Sequence, residues 1–530
     1  MPEIMSDYLS MRAPLADDAA LLGCTSEADL LVSALERFPQ RQAVTGLGLD
    51  LTYAALADEI SRYVQALRDA GLGSGNRVGL LAGNRPEVLF CNYAILLVGC
   101  CLVPLHPRGS LDDHVYIAQD AQLDALIYDA EIYADHVAQL ALDGVRLFTL
   151  GGAEGHADLG ALAQRFAPQR LSAPVLHPDQ IVRISYSGGT TGEPKGIIGT
   201  PRTLLTKTMI QLVEWEWPSR VRQLVCAPLS HAGGSMILPT LVRGGSVHIM
   251  SAFDAGEVLS IIERERITCV LLVPTMIAAL LDHPHIDRHD LTSLEAIYYG
   301  ASPISTGLLK RSIERLGQIF FQFYGQTEAP MSVCVMRRDE HLLDDDRRLS
   351  TCGRPVPWVR VSLRDEAGQE VPDGTPGELC VQGPLLMGGY WRKPEQTREA
   401  LAGGWLHSGD IAVRLPDGFL AIVDRKKDMI ISGGFNVFAR EVEAVIEDCE
   451  GVAACAVIGL PDAKWGEVVT AVIVPRLTAK LDEEQIADTV RRRKGAVQVP
   501  RRIVLRQELP MTSLGKPDKK KLRQELGAGA

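Results

Sequence analysis

Ile181-Val182-Arg183-Ile184-Ser185-Tyr186-Ser187-Gly188-Gly189-Thr190-Thr191-Gly192-Glu193-Pro194-Lys195-Gly196 begins as an apolar, strand-like run and breaks into a loop dense in glycine, hydroxyl and one lysine. Such a loop suits polyphosphate. Glycines let the backbone turn its N–H groups inward with no side chain in the way. Ser187, Thr190 and Thr191 add hydroxyl donors, and Lys195 adds a mobile positive charge. The expected occupant is a nucleoside triphosphate. The run departs from the common P-loop, in which Gly-Lys-Ser/Thr closes the loop, because Pro194 stands directly before Lys195. A loose glycine and serine cluster is ordinarily a flexible turn; the density of this one sets it apart.

Outward from the loop, helix-like and apolar strand-like stretches alternate from residue 28 to about 249. Residues 56–70 read as helix and 77–81, 102–105 and 125–128 as buried strands. The alternation continues with a helix at 256–264, a strand at 269–273, a helix at 275–281 and a strand at 296–299 that ends at Gly300. This is the signature of α/β layers, whose strand ends bind ligands. Past about residue 350 the pattern becomes alternating strands with turn signals such as Pro372-Asp373-Gly374, which predicts a small β-rich subdomain over 350–426. Beyond the charged run Arg425-Lys426-Lys427-Asp428, a helix at 440–448, strands near 453–458 and 468–474 and a helix at 483–491 predict an α+β unit of normal domain size. The expected fold is therefore α/β, with a large N-terminal domain over 1–426 and a small C-terminal domain over 427–530. Residues 151–173 read as a polar surface connection, and no internal repeat is evident.

The chain of 530 residues is too long for one compact core. Its 54 Lys plus Arg stand against 66 Asp plus Glu, a net charge of −12, with no long basic cluster, so nucleic acid is not an expected partner. Lys519-Lys520-Lys521, beside Asp518 and Glu525, reads as a solvated helix face. The 11 cysteines show no Cys-x-x-Cys pairing and mostly sit among apolar neighbours, which fits reduced thiols and a cytoplasmic protein. The N-terminus has neither a basic start nor an apolar core, so no secretory signal is expected. Residues 88–105 approach membrane-spanning length, but Asn92 interrupts them, and Gly99 and Pro104 divide them into a buried helix and a strand.

The loop of residues 187–196 resembles the phosphate loop of the acyl-adenylate-forming superfamily, which holds acyl-CoA synthetases, luciferase-like enzymes and the adenylation domains of peptide synthetases. Four more motifs follow in the family's order: Tyr324-Gly325-Gln326-Thr327-Glu328, then WLHSGD ending at Asp410, then DRKKDMIISGGFN from Asp424, and Gly515-Lys516. The resemblance covers essentially the whole chain. It implies that Ser187, Gly188, Thr190, Thr191, Gly192 and Lys195 hold the β- and γ-phosphates of ATP. It further implies that Tyr324, with Gly325, stacks on adenine, that Thr327 bonds the α-phosphate, and that Glu328 faces Mg²⁺, a hard cation served by oxygen ligands. Asp410 would accept both ribose hydroxyls, with Arg425 approaching the same ribose. Gly300, Ala301 and Ser302 resemble the adenine edge and acyl-pocket wall. Lys516 would bridge the carboxylate and the α-phosphate, as a compact ammonium on a flexible stem can; Pro517 after it departs from the family's usual branched apolar residue. Taken singly, Tyr324 reads equally as core packing, Asp410 as a turn aspartate and Lys516 as a solvated lysine.

Amino-acid-activating members of the superfamily carry an aspartate in the stretch matching Pro228-Leu229-Ser230-His231-Ala232-Gly233-Gly234, which here has no carboxylate. A simple carboxylic acid is therefore the expected substrate, with His231 as the aromatic gate of its pocket. Gly433 and Gly434 resemble the strand along which pantetheine runs, which makes CoA the expected second substrate. The chain runs only a short way past Lys516, so no fused carrier-protein domain is expected, although ligation to a separate carrier is the alternative. Ala439 replaces the proline usual before the Glu-Val-Glu helix start. In the family the C-terminal domain is mobile, and the matching pivot here is Lys427. The expected activity is thus an AMP-forming acid–thiol ligase using ATP, Mg²⁺ and CoA on an aliphatic, aromatic or alicyclic acid. Expected partners are small molecules, with a homodimer the one macromolecular contact left open and no integral membrane span. A non-catalytic nucleotide-binding protein and a membrane-coupled fatty-acid uptake protein are the readings from other classes.

Overall fold

The structure, a computed structural model, describes residues 25–140, 142–152, 155–186, 194–230, 232–432, 435–462, 465–476, 481–512 and 517–527. The predicted alternation resolves into two separate parallel-type sheets. One has seven strands in the order Ala157–Asp158, Arg146–Leu150, Ala125–Asp129, Arg77–Leu81, Cys101–Pro104, Arg183–Tyr186 and Gly196–Gly199. Its last pair is antiparallel with Tyr186 opposite Gly196, so the two strands that flank the glycine-rich loop lie side by side. The loop's residues 187–193 are outside the described residues.

The second sheet has nine strands and draws on distant parts of the chain. Gln42–Gly46, Ser246–Ile249, Arg222–Val225, Cys269–Leu272, Ala296–Gly300 and Phe320–Tyr324 form its parallel body. Leu49–Thr52 closes one edge, and Cys334–Met336 with Arg354–Pro355 closes the other, all antiparallel. Ala296–Gly300 and Phe320–Tyr324 are parallel neighbours with Gly300 opposite Phe323, so two motif-bearing strand ends emerge together. That is where an open α/β sheet offers its binding crevice.

Local chemistry explains the elements. The helix Tyr53–Asp69 starts where the Thr52 side chain accepts a hydrogen bond from the Ala55 N–H, and it buries the stripe Leu56, Ile60, Val64 and Leu67. The helix Pro86–Val98 has proline in its first turn and ends at Gly99, which takes φ +81°, a conformation costly for any side chain. It has apolar residues all round because it is buried nearly all round, and the strand Cys101–Pro104 follows it. No helix among the described residues is long and apolar enough to cross a membrane. Residues 151–173 are more than the expected surface connection. They carry a short strand and the helix Leu159–Ala163, whose Leu159 and Ala163 insert fully into the core beside Tyr63 and Leu67. Leu162, Phe166, Leu171 and Ala173 pack against the same core, so the stretch is pinned at several points.

The β-rich region is a four-stranded antiparallel sheet, Arg360–Arg364, Gly377–Gln382, Leu406–Arg414 and Leu420–Arg425. After a three-residue turn at 426–428 a further sheet begins with Ile430–Ser432 and Phe435–Val437. Its centre is the long hairpin of Val452–Asp462 and Gly466–Pro475, with Arg502–Leu505 added in parallel. Helices Ala439–Glu447 and Glu483–Lys494 cover one face through Val442, Ile446, Ile486 and Val490. The helix Lys519–Gly527 covers the other through Leu522. Lys519 is not part of a solvated face: its ammonium lies 2.7 Å from the buried carboxylate of Glu443, while Lys520 and Lys521 are exposed.

Candidate active site

Asp410 lies on the strand Leu406–Arg414, 3% exposed, where a buried carboxylate must find partners or lose its charge. It finds three. Tyr324 donates its hydroxyl to Oδ2 at 2.6 Å, Gln326 donates Nε2 to the same oxygen at 2.7 Å, and Arg425 Nε lies 2.8 Å from Oδ1. Arg425 stands directly opposite Asp410 in the neighbouring strand, so sheet register sets that pair. Tyr324 and Gln326 come from the end of the parallel sheet, and Gln326 also bonds the Ser408 carbonyl at 3.0 Å. Burial, and then the Asp410 charge, push the Tyr324 hydroxyl far above the usual phenol range, so it stays a donor. Ser408-Gly409 bulges toward this cluster, with Gly409 at φ +70° and its Cβ direction empty, so glycine is needed for the backbone and not for space.

A second cluster joins Glu328 to Lys195. Tyr390 donates its hydroxyl to Glu328 Oε1 at 3.0 Å, and the Lys195 ammonium lies 4.8 Å from the centre of the same ring. Residues 387–391 run along the strand Gly196–Gly199: Gly388 N–H donates to the Ile198 carbonyl, Ile198 N–H to Gly389, and Trp391 N–H to Gly196. Met387 N–H bonds the Glu328 carbonyl at 2.8 Å. This strap brings the loop lysine and the motif carboxylate together. Glu328 is half-buried and Oε2 is not used by Tyr390, which leaves an oxygen donor of the kind a hard divalent cation takes. Thr327 is exposed beside it.

Gly300 ends its strand against Phe323, where a Cβ would fall 2.3 Å from the Phe323 carbonyl oxygen, so no other residue fits. Ala301 follows at φ +63°, a strained conformation for a residue with a side chain. Gly325 is equally enclosed, its Cβ direction 2.6 Å from Met331 N. In the segment 228–234, a Cβ on Gly233 or Gly234 would fall 2.5 Å or 2.1 Å from a backbone carbonyl. Asn84 accepts from Leu229 N–H and donates to the Ala227 and Met250 carbonyls, and Arg183 Nη2 donates to the Ser230 carbonyl at 3.0 Å. Arg183 thereby ties this segment to the strand that leads into the glycine-rich loop.

Beside Asp410, Glu378, Cys380 and His407 meet. His407 Nδ1 is 3.2 Å from Glu378 Oε2 and 3.5 Å from Cys380 Sγ. The trio has ligand types that suit zinc, but Lys426 Nζ also lies 3.2 Å from Oε2, and burial and then Glu378 push the Cys380 thiol up to about 12. With the Lys426 ammonium already on Oε2, the side chains present form a hydrogen-bonded cluster. Burial alone would raise the Glu378 carboxyl, yet hydrogen bonds from His407 and Lys426 hold it below the ordinary range.

Lys427 is exposed in the turn between Leu420–Arg425 and Ile430–Ser432. Asp428 and Met429 N–H both donate to the Arg425 carbonyl, and Arg523 Nη2 pairs with Asp428 at 2.9 Å. Of the residues named from sequence, Ser187, Gly188, Thr190, Thr191, Gly192, His231, Gly433, Gly434 and Lys516 lie outside the described residues. Tyr324, Asp410 and Arg425 are brought into contact, and Lys195 and Glu328 share Tyr390. Gln326, Tyr390 and Glu378 were not singled out from sequence. Glu378 carried a readable signal, a lone charge in the otherwise apolar strand Gly377–Gln382.

The AMP-binding enzyme family matches residues 31–391, and the AMP-binding enzyme C-terminal domain matches residues 441–516. A medium/long-chain-fatty-acid–CoA ligase of Mycobacterium tuberculosis is 47% identical, covering 100% of this chain and 95% of that protein. A feruloyl-CoA synthase of Amycolatopsis is 38% identical, covering 92% of this chain and 96% of that protein. Among solved structures, the amide bond synthetase of Marinactinospora thermotolerans is 32% identical, with a TM-score of 0.86 over 94% of this chain and 100% of that one. The chain belongs to the AMP-binding enzyme family.

Proposed function

We propose that this chain is an AMP-forming acid–thiol ligase that joins a hydrophobic carboxylic acid to CoA. In the first step a carboxylate oxygen attacks the α-phosphorus of ATP, the bond to the β-phosphate oxygen breaks, and pyrophosphate leaves. In the second the CoA thiolate attacks the acyl carbon, and AMP leaves with the electron pair of the broken C–O bond. The observation that carries this reading is the Asp410 cluster: a charged carboxylate, held by Tyr324, Gln326 and Arg425, beside the ends of two parallel strands. A carboxylate so fixed keeps acceptor capacity on Oδ1 for one ribose hydroxyl, and the second hydroxyl takes the place of one of the two donors on Oδ2.

The remaining roles are those that the family resemblance implies. Glu328, held by Tyr390, would bind Mg²⁺, which neutralises phosphate charge. Lys195 and the glycine-rich loop hold the outer phosphates, with Thr327 on the α-phosphate. Lys516 stabilises the charge that develops as carboxylate meets phosphate, and His231 gates the acyl pocket beside Ser302. Gly433 and Gly434 pass the pantetheine arm. The N-terminal domain spans 1–426, and the domain over 427–530 pivots at Lys427 to present Lys516 and then Gly433 and Gly434. The ten described cysteines are all unpaired, in keeping with a reducing cytoplasm. The likeness to an amide bond synthetase supports a second reading, in which an amine takes the acyl group.

The test is a panel of aliphatic, aromatic and alicyclic acids assayed for ATP-dependent pyrophosphate release with CoA, with an amine and with neither. Thioester formation with CoA on at least one acid supports the ligase. Amide formation without thioester moves the assignment to the second reading, and no release from any acid removes both. In the same assay, Lys516→Ala is expected to lower adenylation by about 10²–10³-fold while sparing thioester formation from supplied acyl-AMP.

A further inference from the structure

We infer that Glu378 is a positioning residue for nucleotide ribose, acting through the Ser408-Gly409 bulge that carries Asp410. The inference rests on Asp410 as the ribose carboxylate in the ligase reading. Glu378 is 8% exposed on the strand Gly377–Gln382, and its hydrogen-bond partners among the described residues are neighbours of Asp410 and not Asp410 itself. Its Oε1 accepts from Gly409 N–H at 3.1 Å, and its Oε2 is approached by His407 Nδ1 and Lys426 Nζ, both at 3.2 Å. The residues it holds are those on either side of the ribose site: His407 and Gly409 precede Asp410, and Lys426 follows Arg425.

The bulge is gripped from both neighbouring strands. On one side stands the Glu378 carboxylate; on the other, Lys426 N–H donates to the Gly409 carbonyl at 2.8 Å. The pairing register shifts in both ladders: opposite Glu378 and Cys380 the extra residues are 408–410 of the Asp410 strand, and opposite Ile411 and Ala412 the extra residue is Val423 of the neighbouring strand. A bulge at 408–410 re-aims a side chain that a regular strand would point elsewhere. Gly409 at φ +70° has no side chain of its own to lock this geometry, so an external acceptor must. A carboxylate suits the task because all three of its partners donate. Glutamine in its place would turn an NH₂ toward a donor and leave at least one group unpaired.

The experiment measures binding of AMP and of 2′,3′-dideoxyAMP by calorimetry, alongside the thermal midpoint. Wild type is expected to prefer AMP, and Glu378→Gln to lose that preference by roughly tenfold through weaker AMP binding, with dideoxyAMP affinity unchanged. Lys426→Met, which weakens the same clamp from its half-exposed side, is expected to shift the ratio in the same direction by roughly threefold. A ratio unchanged in both variants overturns the inference, as does an equal loss for both nucleotides, which marks a merely structural role. Wild type without a ribose preference also overturns it. Wild type that prefers AMP but releases no pyrophosphate with any acid sinks the ligase reading and leaves this one standing.

Discussion

Asp410 and Asp424 are both buried aspartates on adjacent strands of the same small sheet, 3% and 4% exposed, and they are handled in opposite ways. Asp410 meets a phenol, an amide and a guanidinium, so its charge is matched before any ligand arrives. Among the described residues Asp424 accepts only from Arg425 N–H, through Oδ1, and its Oδ2 has no hydrogen-bond partner. Burial pushes its carboxyl up to about 6, against a pull downward from the Lys519 charge on the last helix. One site is prepared for a fixed charge. The other, one residue from Arg425 and three from the proposed pivot, has a carboxyl that burial pushes up and that the Lys519 charge only partly pulls back.

The sharpest way to break the contrast is to remove the prepared charge. Asp410→Ala is expected to lower kcat/KM for ATP by about 10³-fold, since it removes both ribose contacts and strands Arg425. A loss below tenfold would show that the cluster is structural. On the second region, Lys427→Pro fixes a torsion where the chain must turn, and it should leave acyl-AMP formation intact while slowing thioester formation by about 10²-fold. Normal thioester formation would move the pivot elsewhere.

Two smaller effects refine the picture. Tyr390→Phe removes the hydroxyl that holds Glu328 and should raise the Mg²⁺ requirement roughly tenfold, with the KM for the acid unchanged. An unchanged Mg²⁺ titration would detach Tyr390 from the site. Asp424 has a raised folded-state value, so its contribution to stability is fully present below the unfolded value and is lost as pH rises through about 6. Asp424→Asn should therefore be more stable than wild type above pH 6 by roughly 2 kcal/mol, with the gain shrinking toward pH 5. Parallel unfolding curves for the two proteins across that range would show that Asp424 does not titrate there.

What the sequence disclosed was whatever lay in contiguous motifs. The strand ends at Gly300 and Tyr324, the buried helix before Cys101 and the motif that carries Asp410 all sit in short runs with a readable local pattern. The partition into two sheets was not legible, because Gln42–Gly46 pairs with Ser246–Ile249 across about two hundred residues, and nothing local marks that pairing. Glu378 and Tyr390 were missed for a related cause. Glu378 reaches Gly409 only through the register of three strands, and Tyr390 reaches Glu328 only because residues 387–391 lie along Gly196–Gly199. Lys519 looked solvated because its partner Glu443 is far away in sequence and buried in another helix.

The central claim is that activation and thioester formation are separate steps on one nucleotide site. Rapid-quench analysis with an accepted acid and no CoA tests it most directly. The account predicts a burst of pyrophosphate equal to the enzyme present, with enzyme-bound acyl-AMP, and then turnover to AMP and thioester once CoA is added. ADP and phosphate as products, or pyrophosphate appearing only when CoA is present, would contradict it.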